Sequence, residues 1–247
     1  MLRSKLLFLK NRMTLSRRIA AESLGTAFLL AAVVGSGIMG EKLAGGNVAI
    51  ALLANTLATG AMLVTLIFTF GPISGAHFNP AVTLTDASQG GIGWGDVPAY
   101  ILGQVLGAFI GVAAAHLMFG EAFLQVSQHA RAGGAQLFSE FVATFGLLCV
   151  IQGCARLRSQ AVPLAIGLYI TSAYWFTAST SFANPAVTLA RAFTNTFAGI
   201  RPSDAPGFIA VQIVGAFAAT GLFRWLVPSL PAEEKEVAFP HAHARRD

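Results

Sequence analysis

Two copies of one hexapeptide carry the chemistry of this chain: Asn79-Pro80-Ala81-Val82-Thr83-Leu84 and Asn184-Pro185-Ala186-Val187-Thr188-Leu189. Proline in the first turn of a helix forfeits nothing, because the N–H it lacks has no intrahelical partner there. Asparagine just before it can accept hydrogen bonds from the first-turn backbone donors. Each copy therefore starts a short helix whose asparagine still has amide N–H groups to offer elsewhere. A helix N-terminus is equivalent to roughly half a positive charge. Two such ends brought together repel cations, hydronium included, and orient a passing hydroxyl oxygen as an acceptor. That is the chemistry of a conduit for small neutral molecules that both donate and accept hydrogen bonds. One Asn-Pro alone reads as an ordinary capped turn; two inside apolar sequence do not.

Other polar groups sit in apolar surroundings. Glu22 and Glu140 lie near the start of each half of the chain. A carboxylate in lipid costs several kcal/mol, so each must face the protein interior and find partners. Two roles are open, a proton relay or an acceptor for backbone N–H groups of the loops that lead to the helices. The second is favoured, because the pair is symmetric and no chain of ionisable groups links them. His77 stands two residues before Asn79 and reads as a pore-lining or loop-packing side chain, with a pH gate as the alternative. Cys149 and Cys154 are five apart in one apolar segment and do not share a helix face. They read as buried thiols with no metal or redox role.

The elements that must hold these groups are membrane helices. Six apolar segments, at about 17–39, 48–70, 97–119, 136–155, 161–178 and 206–227, approach the ~20 residues that span a bilayer. The stretches 79–88 and 184–194 are too short to cross. Each follows an approach rich in small and polar residues, Gly71-Pro72-Ile73-Ser74-Gly75-Ala76-His77-Phe78 and Ser179-Thr180-Ser181-Phe182-Ala183. Irregular backbone at membrane depth is tolerated only where protein or a water-filled cavity satisfies it. Both approaches should therefore dip inward and line a polar path.

The halves repeat. Ala21-Glu22-Ser23-Leu24-Gly25-Thr26-Ala27-Phe28 matches Ser139-Glu140-Phe141-Val142-Ala143-Thr144-Phe145-Gly146, the Asn-Pro-Ala segments follow, and Gln104-Val105-Leu106-Gly107-Ala108-Phe109 matches Gln212-Ile213-Val214-Gly215-Ala216-Phe217. Three spans per half is an odd number, so the second half enters the membrane from the other side. This is an inverted repeat with its site near the midplane. The fold class is an all-α membrane protein of six transmembrane helices and two re-entrant half-helices.

Composition agrees. Of 247 residues, 55% are hydrophobic and 11% charged, against roughly 25% charged in soluble domains; the mean hydropathy is +0.65. The net charge of +5 is no nucleic-acid footprint, since the basic residues cluster at the ends and on no folded face. Arg3, Lys5, Lys10, Arg12, Arg17 and Arg18 precede the first span, which marks that side as cytoplasmic. Arg156 and Arg158, between the fourth and fifth spans, then fall on the same side, as does the C-terminus. The expected organisation is a basic cytoplasmic arm over 1–16, a channel domain over 17–227 with halves at about 17–119 and 136–227, and a cytoplasmic tail over 228–247. His241 and His243 in that tail read as solvated rather than metal-binding.

The strings Ala-Glu-x-x-Gly-Thr at 21–26, Ser-Gly-Ala-His-Phe-Asn-Pro-Ala-Val-Thr at 74–83 and the second Asn-Pro-Ala resemble the major intrinsic protein family, the aquaporins and aquaglyceroporins. The resemblance covers about residues 17–227. It implies a homotetramer with one pore per protomer in the lipid bilayer, and passive transport of water and small neutral solutes without cofactor or metal. It also implies an outer constriction of four positions, which fall on Thr59, Tyr174, Ser181 and Val187. The family usually has arginine where this chain has Val187, and an aromatic ring where it has Thr59. Arginine supplies fixed donors and a charge and narrows a pore; valine supplies none. A wider, neutral, less water-selective constriction is expected. The Asn-Pro-Ala-Val-Thr-Leu-Ala-Arg string resembles a bacterial subgroup associated with arsenic-resistance genes, which implies metalloid hydroxides such as As(OH)3 or methylated arsenicals beside glycerol-like polyols and urea.

Arg191 lies four residues after Val187, on the same helix face and ~6 Å further outward. Its counterpart in the first repeat is Asp86. Arg191 either shapes the outer vestibule or merely snorkels to the interface. The competing functions are a water-selective aquaporin, a secondary active transporter built on inverted repeats, and a non-conducting scaffold. A transporter needs more intramembrane ionisable groups than this chain has, and a scaffold has no use for two intact asparagine donors. No nucleophile, metal set or phosphate loop supports an enzyme.

Overall fold

A computed structural model describes residues 13–227. Most of the expected basic arm over 1–16 and all of the expected tail over 228–247, His241 and His243 included, lie outside the described residues. Within them the chain forms eight α-helices: α1 Leu15–Leu43, α2 Val48–Ser74, α3 Pro80–Ser88, α4 Val97–Phe119, α5 Gly134–Leu157, α6 Val162–Phe176, α7 Pro185–Arg191 and α8 Ala205–Leu226. Thr14 caps α1 and Asn47 caps α2 through their side-chain oxygens, and α4, α6 and α8 each carry proline in the first turn.

Five of these helices are long and apolar enough to cross a membrane. The expected span at 161–178 is the exception. Its helix, α6, has 15 residues and a length of about 22 Å, short of a ~30 Å hydrocarbon core. The 3-10 turn Ser159–Ala161 extends it at one end. A second departure concerns the first approach loop, expected to leave the helix at Gly71. Residues 71–74 instead complete the last turn of α2, with Pro72 inside it and the left-handed Gly75 as its cap. Proline there has no N–H for the Phe68 carbonyl, and the helix ends two residues later.

The distribution of residues is inside-out relative to a protein in water. Leu24, Phe28, Leu57, Leu106, Ile110, Leu168 and Val214 are exposed, while Glu22, Gln104, Glu140, Gln152 and Gln212 are buried. Such a continuous apolar exterior is a lipid-facing surface. Without a hydrophobic force between helices in lipid, packing depends on close backbone approach at small residues. Gly103, Gly107 and Gly111 of α4 lie against Ile19, Ser23 and Ala27 of α1, and a Cβ at Gly107 would collide with the Ser23 carbonyl oxygen. The second half repeats the contact: Gly215 of α8 meets the Phe141 carbonyl of α5, and Phe141 and Ser23 are equivalent in the repeat. The α1–α4 and α5–α8 pairs are thus one motif used twice, joined through α2 against α6.

Gly107→Ala is expected to lower the thermal unfolding midpoint in detergent, by overpacking worth about 1–3 kcal/mol. Gly221→Ala, at an exposed α8 position with open space around it, is expected to leave the midpoint unchanged or raise it, since alanine restricts the unfolded chain. Equal midpoints for the two variants would contradict this packing account.

At one end of the bundle Arg18 pairs with Asp96 at 2.7 Å, Arg156 donates to Gln89 and to the Phe223 carbonyl, and Arg224 donates to the Ser88 carbonyl. These contacts tie the start of α1 to that of α4, and the far ends of α3, α5 and α8 to one another. At the other end the loop over 121–133 runs beside the segment after α7, with Ser127 N–H donating to the Ala192 carbonyl and Arg201 N–H to that of His129.

Candidate pore

Both short helices begin as the hexapeptides dictate. Asn79 Oδ1 accepts from Ala81 N–H at 2.9 Å, and Asn184 Oδ1 accepts from Ala186 and Val187 N–H at 3.0 and 3.3 Å. The side-chain nitrogens cross over. Asn79 Nδ2 donates to the Ala183 carbonyl at 2.8 Å and Asn184 Nδ2 to the Phe78 carbonyl at 2.7 Å. Each amide nitrogen carries two hydrogens, so one cross-links the two loops and the other is left over. The half-helices α3 and α7 are therefore joined start to start.

The approach loops hold an unusual backbone. Ala76 and Phe78 in the first, and Ser181 and Ala183 in the second, have φ between 46° and 51°. These are the positions three and one before each asparagine. Left-handed backbone is unfavourable for residues with a Cβ and persists only where surroundings enforce it. The two buried glutamates accept hydrogen bonds from this backbone. Glu22 accepts from His77 N–H at 3.0 Å, Phe78 N–H at 2.7 Å, Ser74 Oγ at 2.6 Å and Gln104 Nε2 at 2.8 Å. Glu140 accepts from Phe182 N–H and Ala183 N–H, both at 2.8 Å, and from Gln212 Nε2 at 2.6 Å. Gln104 and Gln212 also contact Thr83 and Thr188 of the half-helices. These glutamines went unassigned in the sequence, although their repetition at matched positions was the signal available.

A cavity of about 100 Å³ lies between the two approach loops, with room for several waters at about 10–15 Å³ each. Asn79 and Asn184 line it, together with Val82, Val187, Thr59, Tyr174, Ser181 and His77. The other motif residues, Pro80, Ala81, Pro185 and Ala186, are buried and not part of its lining. All four expected constriction positions thus border one cavity, and the Tyr174 hydroxyl lies 3.4 Å from Thr59 Oγ1. Most of the remaining wall is apolar, from Leu29, Val33, Leu63, Ile67 and Ile170. His77 Nδ1 is 3.1 Å from Thr83 Oγ1, and its Nε2 is 3.5 Å from a carboxylate oxygen of Asp86.

Of the two readings left open for Arg191, the structure excludes one. Arg191 does not snorkel, being 2% exposed. Its side chain folds over the Phe182 ring, with the guanidinium carbon 3.4 Å from the ring centroid, and its Nε donates to the Ala198 carbonyl. It borders the same cavity as Val187, so the wall expected to be neutral there carries a guanidinium. The seventh residue after each pore asparagine is thus a buried ionisable side chain, Asp86 beside His77 in one half and Arg191 on Phe182 in the other. Arg131, which no motif flagged, completes this end. It donates to the carbonyls of Gly199 and Ser179 at 2.8 and 3.1 Å, and its guanidinium carbon is 5.0 Å from the Phe182 ring centroid. Burial pushes its pKa down to about 10, against the attraction of Glu140, so it stays protonated at neutral pH. It lies in a loop without periodicity, where sequence offers no signal. Cys149 and Cys154 are free thiols, and no group of three metal-ligating side chains occurs among the described residues.

The family model described as "Major intrinsic protein" matches residues 10–183 and 154–245. Over 218 residues, 88% of this chain and 93% of the relative, the sequence is 56% identical to the aquaglyceroporin AqpS of Rhizobium meliloti. It is 35% identical over 159 residues to the aquaporin NIP1-1 of Zea mays, covering 62% of this chain and 55% of that one. The crystal structure of the aquaglyceroporin from Plasmodium falciparum superposes with a TM-score of 0.65 at 21% identity, over 91% of this chain and all of that one, which extends the likeness to the fold. The inside-out helix bundle, the paired asparagine caps and these matches have one reading: the chain belongs to the major intrinsic protein family, multi-pass proteins of the membrane.

Proposed function

We propose that this protein is a passive channel for small neutral solutes, namely glycerol-like polyols, urea and undissociated metalloid hydroxides such as As(OH)3, with water accompanying them. The observation that carries the reading is the cavity between the two asparagine caps. It is apolar over most of its wall and presents hydrogen-bonding groups at a few points. An apolar wall gives a carbon skeleton a place to lie, while the spare N–H of Asn79 and Asn184 engages a hydroxyl oxygen. The facing N-termini of α3 and α7 oppose cations where these donors stand. Thr59, Tyr174, Ser181 and Val187 act as the size filter, and Glu22 and Glu140 act as braces that hold the loops open. A relative named as an aquaglyceroporin at 56% identity favours glycerol-like solutes over water alone.

The basic end of the bundle faces the cytoplasm, with both termini there, in a bacterial inner membrane. The channel domain covers 17–227, flanked by an arm over 1–16 and a tail over 228–247. Four protomers assemble, each with its own pore. The test is stopped-flow light scattering on proteoliposomes exposed to glycerol, urea and arsenite gradients. Glycerol and arsenite entry well above that of empty liposomes is expected. Rapid water flow with no solute entry would replace this reading by a water-selective channel. Accumulation against a gradient would replace it by an active transporter.

A further inference from the structure

The guanidinium of Arg191 is the least explained group in the pore. It is buried at 2% exposure, and its Nη1 has no hydrogen-bond partner. Beside the same cavity the Ser181 hydroxyl is buried and also unpartnered, and the Tyr174 hydroxyl lies within electrostatic reach of the guanidinium. Buried donors in folded proteins are rarely left unsatisfied. Nη1 and the Ser181 hydroxyl both belong to residues that border the cavity, so the wall there holds polar groups that the protein itself does not pair. Charge points the same way. Arg131 approaches the same Phe182 ring, no carboxylate among the described residues forms an ion pair with either arginine, and Glu140 acts on both only at longer range.

We infer that Arg191 is the charge-selecting residue of the outer pore. Its side chain, rooted one turn further along α7, folds back over Phe182 and brings to the cavity the fixed positive charge and N–H donor that Val187 lacks. The Ala198 carbonyl and the Phe182 face hold the guanidinium in place beside the cavity, where its charge acts on whatever passes. A cation meets this charge before it reaches the half-helix termini. Size and charge are thereby divided between two positions of one helix, Val187 leaving the passage wide and Arg191 keeping it closed to cations. The inference rests on the channel reading above.

The experiment measures proton and methylammonium conductance of proteoliposomes, beside glycerol flux, for the full chain and for Arg191→Val, Arg191→Lys and the double variant Val187→Arg/Arg191→Val. Arg191→Val is expected to raise cation conductance by roughly tenfold or more, the scale of one unit charge acting over several ångströms at an effective dielectric near 20. Arg191→Lys keeps the charge and should keep cations out. The double variant returns a guanidinium to the cavity from the neighbouring turn and should restore exclusion. It leaves the Ala198 carbonyl without its donor, so a purely structural Arg191 would not be rescued. Cation conductance that is unchanged in Arg191→Val, or raised there and not lowered in the double variant, would overturn the assignment. Absence of glycerol flux in every protein would sink the solute reading while the conductance comparison still decides the role of Arg191.

Discussion

Val187→Arg is expected to cut glycerol flux at least tenfold while reducing water flow much less. Tenfold corresponds to about 1.4 kcal/mol on the barrier, which a single misplaced side chain readily supplies. Val187 is buried and borders the cavity one turn from Arg191. A second guanidinium there takes up space in a passage of about 100 Å³ and meets a cation already in place. Mutual repulsion keeps the two side chains from sharing the Phe182 face, so the new one projects into the passage. Water needs only one or two of the remaining hydrogen-bonding groups and little width, and it still passes. Glycerol must shed more of its hydration against a wall that no longer accommodates its carbon chain. Val187→Ala should do the reverse and raise glycerol entry. Stopped-flow traces for glycerol, urea and water on the three proteins decide the matter, with thermal midpoints in detergent to establish that each is folded. Equal fluxes of every solute in all three would remove Val187 from the filter.

Much of this pore was legible before any coordinates, and the reason is redundancy. The hexapeptides fixed both half-helices because Asn-Pro specifies a cap and a first turn locally, and the structure has Asn79 and Asn184 capping α3 and α7. The inverted repeat was legible because Glu22 with Gln104 recurs as Glu140 with Gln212, in contacts of the same kind. What escaped depends on where long side chains go. Nothing in the spacing of Arg191 says whether it reaches lipid headgroups or folds back, since that depends on the Phe182 face and the Ala198 carbonyl. Arg131 escaped because its partners, Gly199 and Ser179, are backbone carbonyls of two other loops. The left-handed backbone at Ala76, Phe78, Ser181 and Ala183 escaped because none is glycine; the conformation is imposed by tertiary contacts rather than preferred by the residues. The short α6 escaped because the apolar run at 161–178 carries no stop signal at Phe176, where the helix ends.

Glu140→Gln is the substitution expected to damage the fold most. Three donors converge on the carboxylate, the N–H groups of Phe182 and Ala183 and the side chain of Gln212. A glutamine offers one acceptor oxygen and turns an NH2 toward groups that themselves donate. At least one buried donor is left unpaired, at about 1–3 kcal/mol, and the lost charge weakens the remaining bonds, which are of the stronger charge-assisted kind. The backbone has a further reason to move, because Ser181 and Ala183 sit at φ of 50° and 46° only while their neighbours are held. If the loop relaxes, the Ala183 carbonyl leaves Asn79 Nδ2, the two half-helices lose one of their crossed bonds, and Phe182 no longer supports Arg191. Both a lower thermal midpoint and a loss of glycerol flux are therefore expected. Glu22→Gln, with four converging donors, should behave alike, as the repeat requires. A proton relay would give a different signature: the glutamine variants would keep the wild-type midpoint, and wild-type flux would follow the pH gradient. Brace and relay are separated by measuring midpoint and flux on the same preparations, with and without a pH difference across the membrane. A stable Glu140→Gln protein with intact flux would show that the second loop holds its shape without the carboxylate.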